Sequence, residues 1–221
     1  MICCLWCDST DTQQIIADKT IYHQCLSCEI VYMDSKHHLD LKAEEARYLL
    51  HQNNVTDIGY QNFVSPLKNA VLERFNENHV GLDFGSGKDS AISYLLNQKN
   101  YKVNKYDPFF QPDKIVLKTN TYDYIVVCEV AEHFYNPKPE FIKLKSYLKP
   151  QGILFVMTSL ITADVDFKTW SYRRDSTHVC FYTDKTFKTE FKTEVLTNNL
   201  ILLHNCERSA KNKDSKVKDL K

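Results

Sequence analysis

The sequence predicts an α/β fold built on a parallel sheet and preceded by a small cysteine-rich module, and two observations support this prediction. From residue 79 onward, short runs rich in β-branched and aromatic residues alternate with segments of helical character. Strands that alternate with helices form parallel sheets covered by helices on both faces. Before residue 36, two Cys-x-x-Cys pairs lie in a segment whose apolar residues are too few to form a core.

Four short β-rich runs carry the prediction of the sheet. They are VGLDF (80–84), YKVNKY (101–106), YDYIVVC (122–128) and GILFVMT (152–158). Their length and β-rich composition are typical of buried strands. Helices are predicted between them over residues 89–97 and 139–148. Ligands of such sheets bind at the carboxyl ends of the strands, so the residues that follow each run are the candidates for a site.

Two further helices are predicted between the cysteine pairs and the sheet. Apolar residues recur at helical spacing over residues 39–50. The pair Ser65-Pro66 is typical of the start of a second helix, where serine caps the first turn and proline occupies its first position. We expect these helices to link the cysteine module to the sheet.

The cysteine pairs predict a zinc site. Cys4 and Cys7 are followed after seventeen residues by Cys25 and Cys28, a C-x2-C-x17-C-x2-C arrangement within the spacing range of four-thiolate zinc sites. Each pair can present two sulfurs from a tight knuckle, and tetrahedral zinc takes two such pairs. The alternative is a set of reduced, partly buried cysteines without metal.

The overall charge argues against a protein held to nucleic acid or to a membrane. Lys plus Arg and Asp plus Glu both number 28 in the 221 residues, so no global field attracts the chain to a polyanion. The N-terminus lacks the basic start and apolar run of a signal peptide, and no stretch approaches the roughly 18 apolar residues of a spanning helix. We expect a cytoplasmic protein.

The stretch GLDFGSGKDS (81–90) follows the first strand and has acidic residues on both sides of its central glycines. A phosphate-binding loop needs a hydroxyl where Asp89 stands, and a dinucleotide-binding loop needs a third glycine where Ser90 stands. Asp83 and Asp89 would also repel a pyrophosphate. The stretch therefore favours a ligand that carries positive charge and no phosphate.

S-adenosylmethionine has these properties, because it presents an ammonium group and a sulfonium group. We expect Asp83 to bind the amino acid end of this cofactor by charge attraction and hydrogen bonding. Gly85 and Gly87, which lack side chains, would allow the backbone to approach the cofactor closely.

The second strand supplies candidates for the nucleoside end of the same cofactor. Asp107 follows this strand, twenty-four residues after Asp83, where a carboxylate can accept hydrogen bonds from both ribose hydroxyls. Phe109 or Phe110 is then placed to lie against the adenine ring.

Five stretches of the chain resemble the class I S-adenosylmethionine-dependent methyltransferases, and in particular a bacterial group with an N-terminal cysteine-pair segment. The resemblance extends from Cys4 to about Tyr182. The matching stretches are GLDFGSGKD, YDPFF, VCEVAEHFYNP, LKPQGILFVMT and WSYRRDSTHVCFY. The chain departs from the family in having only about twenty residues between Asp107 and Cys128, so its third strand unit is abridged.

The resemblance implies a Rossmann-like class I methyltransferase sheet with helices on both faces and a small zinc-ribbon-like module before it. It implies that Cys128 and Glu129, in the motif after the strand over residues 122–128, contact the methionine end of the cofactor. We accordingly expect four parts: residues 1–35 as the zinc module, 36–78 as a helical linker or lid, 79–208 as the cofactor-binding methyltransferase domain, and 209–221 as a tail. The tail is expected to be disordered because it is rich in lysine and almost free of apolar residues.

Three residues are candidates for catalysis. His133 lies four residues after Glu129, and His178 lies three residues after Asp175 in a segment that closes the substrate pocket in the family. A histidine beside a carboxylate is a plausible acid–base pair. The structural alternatives are a packing role for His133 and a surface ion pair of Asp175 with the neighbouring Arg173 or Arg174, which could otherwise bind an anionic substituent of the acceptor.

The sequence thus favours a methyltransferase that acts on a small molecule, with the acceptor atom (O, N or C) and the oligomeric state left open. One alternative is an RNA methyltransferase that grips its substrate with the zinc module, although the balanced charge argues against nucleic acid. A second alternative is a non-catalytic protein that binds the cofactor or interacts through zinc.

Overall fold

The computed structural model describes residues 2–49 and 54–205, in which ten strands and five helices occur. The strands are β1 Thr12–Ala17, β2 Thr20–Cys25, β3 Val31–Met33, β4 Val80–Phe84, β5 Lys102–Tyr106, β6 Tyr122–Cys128, β7 Leu148–Met157, β8 Cys180–Phe181, β9 Lys192–Thr197 and β10 Leu200–His204. The helices are α1 Leu41–Leu49, α2 Ile58–Leu72, α3 Ala91–Asn97, α4 Pro137–Tyr147 and α5 Asp184–Lys188.

The larger of the two sheets is Rossmann-like and has the strand order β5-β4-β6-β7-β10-β9. Strands β5, β4, β6 and β7 run parallel to one another, while β10 is antiparallel to β7 and to β9. The four predicted strands are confirmed in this sheet. The abridged third unit is also visible, because β5 forms the edge and the residues between it and β6 contain only a short 3-10 turn at Lys114–Val116.

Alternating side chains of the central strands bind helices to both faces of this sheet. On β6, Tyr124 and Val126 pack with residues of α2 and α3, whereas Ile125 and Val127 pack with residues of α4. Successive side chains of a strand point to opposite faces, so a continuous apolar run is buried on both. The prediction of helices on both faces is confirmed.

The smaller sheet is antiparallel, with the order β1-β2-β3-β8. Its last strand comes from the far end of the chain, since Val31 pairs with Phe181 and Tyr32 with Cys180. Trp6 is fully buried beside this sheet, where its ring lies edge-on to Phe141 of α4 at 5.3 Å. The N-terminal segment therefore shares its hydrophobic core with the larger sheet.

One helix boundary differs from the prediction. Helix α2 begins at Ile58, where the Asp57 carboxylate accepts a hydrogen bond from the Tyr60 amide at 2.7 Å, and not at Ser65. Pro66 lies inside the helix and has no N–H to donate to the carbonyl of Asn62. The Ser65 hydroxyl donates to that carbonyl at 2.8 Å, so the serine that suggested a helix start instead compensates for the proline.

The remaining helices follow the prediction closely. Helix α3 begins after Ser90, whose hydroxyl accepts from the amide of Ser93 as an N-cap, and α4 begins at Pro137. The predicted tail 209–221 lies outside the described residues. Within residues 2–49 and 54–205, no helix combines the length and the apolarity that crossing a membrane requires.

Replacing Trp6 with alanine should destabilise the whole protein. The indole is fully buried and its Nε1 donates to the Thr189 hydroxyl at 2.8 Å, so truncation leaves a cavity and removes this hydrogen bond. We expect the free energy of unfolding to fall by about 3–5 kcal/mol, measured by urea denaturation followed by circular dichroism. Ile16→Ala, at a side chain that is 60% exposed on β1, should change stability by less than about 1 kcal/mol. Equal losses in the two variants would contradict the shared core.

Candidate active site

A cavity of about 1020 Å³ opens at the carboxyl ends of β4, β5 and β6. It is lined by every residue predicted to contact the cofactor, namely Asp83, Gly85, Gly87, Asp107, Phe109, Cys128 and Glu129. Two of the three predicted catalytic residues, His133 and His178, also line it. The parallel register brings together Asp83, Asp107 and Glu129, which span 46 positions of the chain, and the loop before β8 adds His178.

The two glycines of the loop after β4 are required for different reasons. Both have positive φ angles, +77° for Gly85 and +61° for Gly87, which disfavour other residues. A Cβ at Gly85 would lie 2.4 Å from Cγ2 of Val130, so packing inside the protein requires this glycine. A Cβ at Gly87 would meet nothing within 4 Å, so here the backbone borders open space that a ligand can enter.

Asp83 is buried at the end of β4, with 1% of its surface exposed. Its Oδ2 accepts hydrogen bonds from the hydroxyls of Ser90 at 2.5 Å and Ser93 at 2.6 Å. Burial raises the pKa of the carboxyl, and the two serine bonds oppose that shift. The N-terminus of α3 thus holds a desolvated acid whose charge a cationic ligand would compensate.

Asp107 connects the glycine loop to the loop after β5. Its Oδ2 accepts from the Gly87 amide at 2.9 Å, and its Oδ1 accepts from the amides of Phe109 at 2.9 Å and Phe110 at 3.0 Å. The ring of Phe109 is partly exposed and lies 5.3 Å from that of Tyr48. Contact of Asp107 with ribose and of either phenylalanine with adenine stays a prediction.

Glu129 follows β6 in a left-handed backbone conformation, with φ of +52°, which is rare for a residue with a side chain. Its Oε2 accepts from the Tyr172 hydroxyl at 3.2 Å, and its Oε1 is buried without a hydrogen-bond partner. Burial, and next the nearby Glu132, raise the pKa of Glu129 to about 8. The preceding Cys128 also lines the cavity, and burial raises the pKa of its thiol.

Glu132 is a buried acid of the cavity that the sequence analysis did not propose as a site residue. It is fully buried in a 3-10 turn, Ala131–His133, and its Oε2 accepts from the Thr158 hydroxyl at 2.9 Å. Its Oε1 has no hydrogen-bond partner and lies 4.0 Å from Nε2 of both His133 and His178. The sequence signal was present, since the motif EVAEH contains a second acid directly before the histidine.

The two histidines lie beside each other, with ring centroids 4.9 Å apart. Nδ1 of His133 is 2.9 Å from the carbonyl of Thr177, and Nδ1 of His178 is 2.8 Å from the carbonyl of Tyr172. Because a carbonyl only accepts, each Nδ1 carries the proton and each Nε2 is turned towards Glu132. Burial lowers the pKa of His178, and the Glu132 charge opposes this shift.

Asp175 does not form the expected side-chain pair with His178. Its Oδ2 accepts from Arg47 at 2.7 Å, and its Oδ1 accepts from the hydroxyl of Thr177 at 2.7 Å. The carboxylate of Asp175 folds back onto its own loop and onto α1, and Glu132 is the carboxylate that Nε2 of His178 faces.

Arg173 and Arg174 do not line the cavity. The guanidinium of Arg173 is buried and donates to the Asp18 carboxylate at 2.6 Å and to the Phe167 carbonyl at 3.0 Å. It connects the N-terminal sheet to the loop before β8 and lies outside the cavity lining.

The four cysteines predicted to bind metal converge in the structure. Sγ of Cys4 lies 3.6 Å from that of Cys28, Sγ of Cys7 lies 3.6 Å from that of Cys25, and all four sulfurs lie within 4.8 Å of one another. Four sulfurs placed 2.3 Å from a tetrahedral zinc ion would be about 3.8 Å apart. The chemistry and spacing of this donor set fit zinc.

Comparison with known proteins identifies the family. Residues 49–194, well over half of the chain, match the family model described as a methyltransferase domain. The chain belongs to this methyltransferase family. No curated protein matches it.

Several solved methyltransferases have a similar outline. For 1,6-didemethyltoxoflavin-N1-methyltransferase of Burkholderia thailandensis, the identity is 12%, the match covers 90% of this chain and 100% of that one, and the TM-score is 0.49. For an O-methyltransferase family protein of the same organism, the identity is 12%, the match covers 79% of this chain and 63% of that one, and the TM-score is 0.47. For phosphoethanolamine N-methyltransferase 2 of Haemonchus contortus, the identity is 12%, the match covers 60% of this chain and 39% of that one, and the TM-score is 0.42. At scores below 0.5, these likenesses carry nothing about the substrate.

Replacing Asp83 with asparagine should make stability less sensitive to a rise in pH above 3.8. The folded state raises the pKa of Asp83 above its ordinary 3.8, so the folded protein binds this proton more tightly than the unfolded chain does. Wild-type stability is therefore lost, relative to the variant, as the pH rises from 3.8 toward the raised pKa. We expect the free energy of unfolding of the variant, minus that of the wild type, to grow by up to about 1.4 kcal/mol per pH unit in that window. Urea denaturation at several pH values measures it. A difference that shrinks with rising pH would contradict the burial effect.

Proposed function

We propose that this methyltransferase transfers the methyl group of S-adenosylmethionine to a small-molecule acceptor bound in the cavity. The observation that carries the proposal is the joint position of Asp83, Gly87 and Asp107 at the ends of adjacent parallel strands, around one open cavity. Membership of the methyltransferase family supports the reaction. When bound, the cofactor supplies an activated methyl group on a positively charged sulfur.

The residues fit such a cofactor in charge and in shape. Asp83 and Glu129 are desolvated acids that an ammonium or sulfonium group would neutralise. Gly87 leaves its side of the cavity free of side-chain atoms. Oδ2 of Asp107 accepts one backbone amide bond and retains a lone-pair direction for a ribose hydroxyl, whereas Oδ1 already accepts two amide bonds.

The rest of the cavity suits a compact acceptor. Its volume of about 1020 Å³ is at the upper end of the range for small-molecule sites. Tyr48, Tyr60 and Phe109 contribute aromatic surface, and His133 and His178 contribute polar atoms. A concave site of this size suits a small molecule, in agreement with the balanced charge of the chain, which argues against a nucleic acid acceptor.

Catalysis would depend mainly on holding the acceptor in line with the methyl group. We assign this task to the part of the cavity formed by Glu132, His133 and His178. Asp175 acts as a positioning residue, because it fixes Thr177, whose carbonyl accepts from Nδ1 of His133.

We also propose that the cysteine cluster holds one structural zinc ion. Cys4, Cys25 and Cys28 are buried and Cys7 is partly buried, and they supply four protein ligands, which leaves zinc no open position for catalysis. The cluster belongs to the same hydrophobic core as α4 and β7, so metal binding there would stabilise the fold as a whole.

Calorimetry should detect binding of S-adenosylmethionine or its demethylated product, and Asp107→Ala should weaken that binding by about 1.5–3 kcal/mol, because hydrogen bonds to a charged group are lost. Asp113→Ala is the matched control, since Asp113 only caps the turn at Lys114–Val116 and does not line the cavity. NADH should not bind. Preference for NADH, or equal affinity in the two variants, would refute the cofactor site.

Metal analysis should find about one zinc ion per chain. Replacing both Cys25 and Cys28 with serine should abolish zinc binding and lower the melting temperature, because two of the four ligands are removed from a buried site. Cys3→Ser, at an exposed cysteine outside the cluster, should retain zinc. Metal-free wild-type protein with four freely reactive thiols would exclude the zinc site.

A further inference from the structure

A second cluster of metal-ligating atoms lies in the cavity itself. Oε1 of Glu132, Nε2 of His133 and Nε2 of His178 all lie within 4.8 Å of one another. Neither histidine nitrogen is within hydrogen-bonding distance of the carboxylate oxygen, since both separations are 4.0 Å. These atoms face one another without direct contact, as ligands do around an ion.

The spacing leaves room for a cation between the three atoms. Two of the three separations are 4.0 Å and the third, between the two Nε2 atoms, is at most 4.8 Å, so one point lies within about 2.5 Å of all three atoms. Metal–nitrogen and metal–oxygen bonds of about 2.0–2.2 Å are only slightly shorter. A movement of a few tenths of an ångström by each side chain would complete the coordination.

The buried carboxylate provides independent support. Glu132 is fully buried, and its Oε1 has no hydrogen-bond partner although its Oε2 accepts from Thr158. A buried acceptor without a partner carries a desolvation cost that a native fold rarely leaves uncompensated. Glu129, three residues earlier, has a second buried oxygen in the same condition, so the cavity has a deficit of positive charge on this side.

The histidines are oriented as metal ligands are. Each donates its Nδ1–H to a backbone carbonyl, of Thr177 for His133 and of Tyr172 for His178. Such a bond fixes the tautomer and turns the Nε2 lone pair inward, which is the usual arrangement of a histidine that binds metal.

We propose that Glu132, His133 and His178 bind a first-row divalent cation on the wall of the cavity, and that this cation receives the hydroxyl group of the acceptor. Two imidazoles and one carboxylate leave coordination positions of such a cation open. All three residues line the cavity that holds the glycine loop, so those positions face the space for the acceptor. The role of the acceptor rests on the function proposed above, whereas cation binding does not.

The chemistry favours oxygen over nitrogen as the acceptor atom. A coordinated hydroxyl loses its proton to water more readily and still has lone pairs for attack, whereas an amine bound to a cation has committed its only lone pair. The acceptor oxygen then forms a bond to the methyl carbon, the carbon–sulfur bond breaks, and the electron pair of that bond stays on sulfur, which becomes a neutral thioether.

Titration with Mn²⁺, followed by electron paramagnetic resonance, tests the site in the full-length protein after dialysis against citrate. Thiolate clusters prefer zinc to manganese, so this probe distinguishes the cavity from the cysteine cluster. We expect about one Mn²⁺ per chain, and at least about 100-fold weaker binding in Glu132→Gln and His178→Ala, because a direct ligand is lost. His178→Asn replaces the alanine variant if circular dichroism shows that the latter is unfolded.

Glu44→Gln is the matched control. Glu44 is a buried acid on the same cavity, but its two oxygens accept from the hydroxyls of Tyr48 and Tyr135. Its Mn²⁺ affinity should stay within about threefold of the wild-type value. Absence of Mn²⁺ binding in the wild type, or equal affinity in Glu132→Gln, would overturn the site.

Two further measurements separate this inference from the proposed function. Water enriched in the magnetic oxygen isotope should broaden the resonance of bound Mn²⁺, because an open position holds water; an unbroadened signal would overturn the acceptor role. Calorimetry with S-adenosylmethionine measures cofactor binding and depends on neither the Mn²⁺ titration nor the isotope broadening. Cofactor binding without Mn²⁺ binding would refute the cation site alone, and Mn²⁺ binding without cofactor binding would refute the methyltransferase reaction.

Discussion

The parallel pairing of β4 between β5 and β6 is the constraint on which the cavity depends. Asp83 pairs with Lys105 on one side and with Val126 on the other, so all three strands end at the same end of the sheet. The amides of Gly85 and Ser86 continue the pairing beyond the strand by donating to the Tyr106 carbonyl at 2.8 and 3.1 Å. A shift of register would separate Asp83, Asp107 and Glu129, because each follows a different strand.

The N-terminal cysteine segment is connected to the cavity through β3 and β8. The Met33 amide donates to the Val179 carbonyl at 2.8 Å, and the residue before Val179 is His178. On the other side of the same short strand, the Tyr182 hydroxyl donates to the Ala131 carbonyl, next to Glu132. The cysteine segment therefore supports the residues that position His178, through one main-chain bond and one bond from a side-chain hydroxyl.

The cavity concentrates acidic groups in a desolvated environment. Burial raises the pKa values of Asp83, Glu129 and Glu132, in each case as the largest effect. Charges of one sign that are removed from water are costly unless cations complement them. A cationic cofactor on the Asp83 side and a divalent cation on the Glu132 side would together account for these acids, which no arginine or lysine of the described residues neutralises through a salt bridge.

The sequence by itself determined the strands that build the cavity and the four clustered cysteines, because strand burial and knuckle spacing are local patterns. Tertiary structure alone decided which partners the side chains take. It paired Asp175 with Arg47, brought Glu132 to His178 across 46 positions, and bound Arg173 to Asp18. The spacing of residues along the chain does not predict such contacts, since they form only when the loops after β6 and β7 fold over the same end of the sheet.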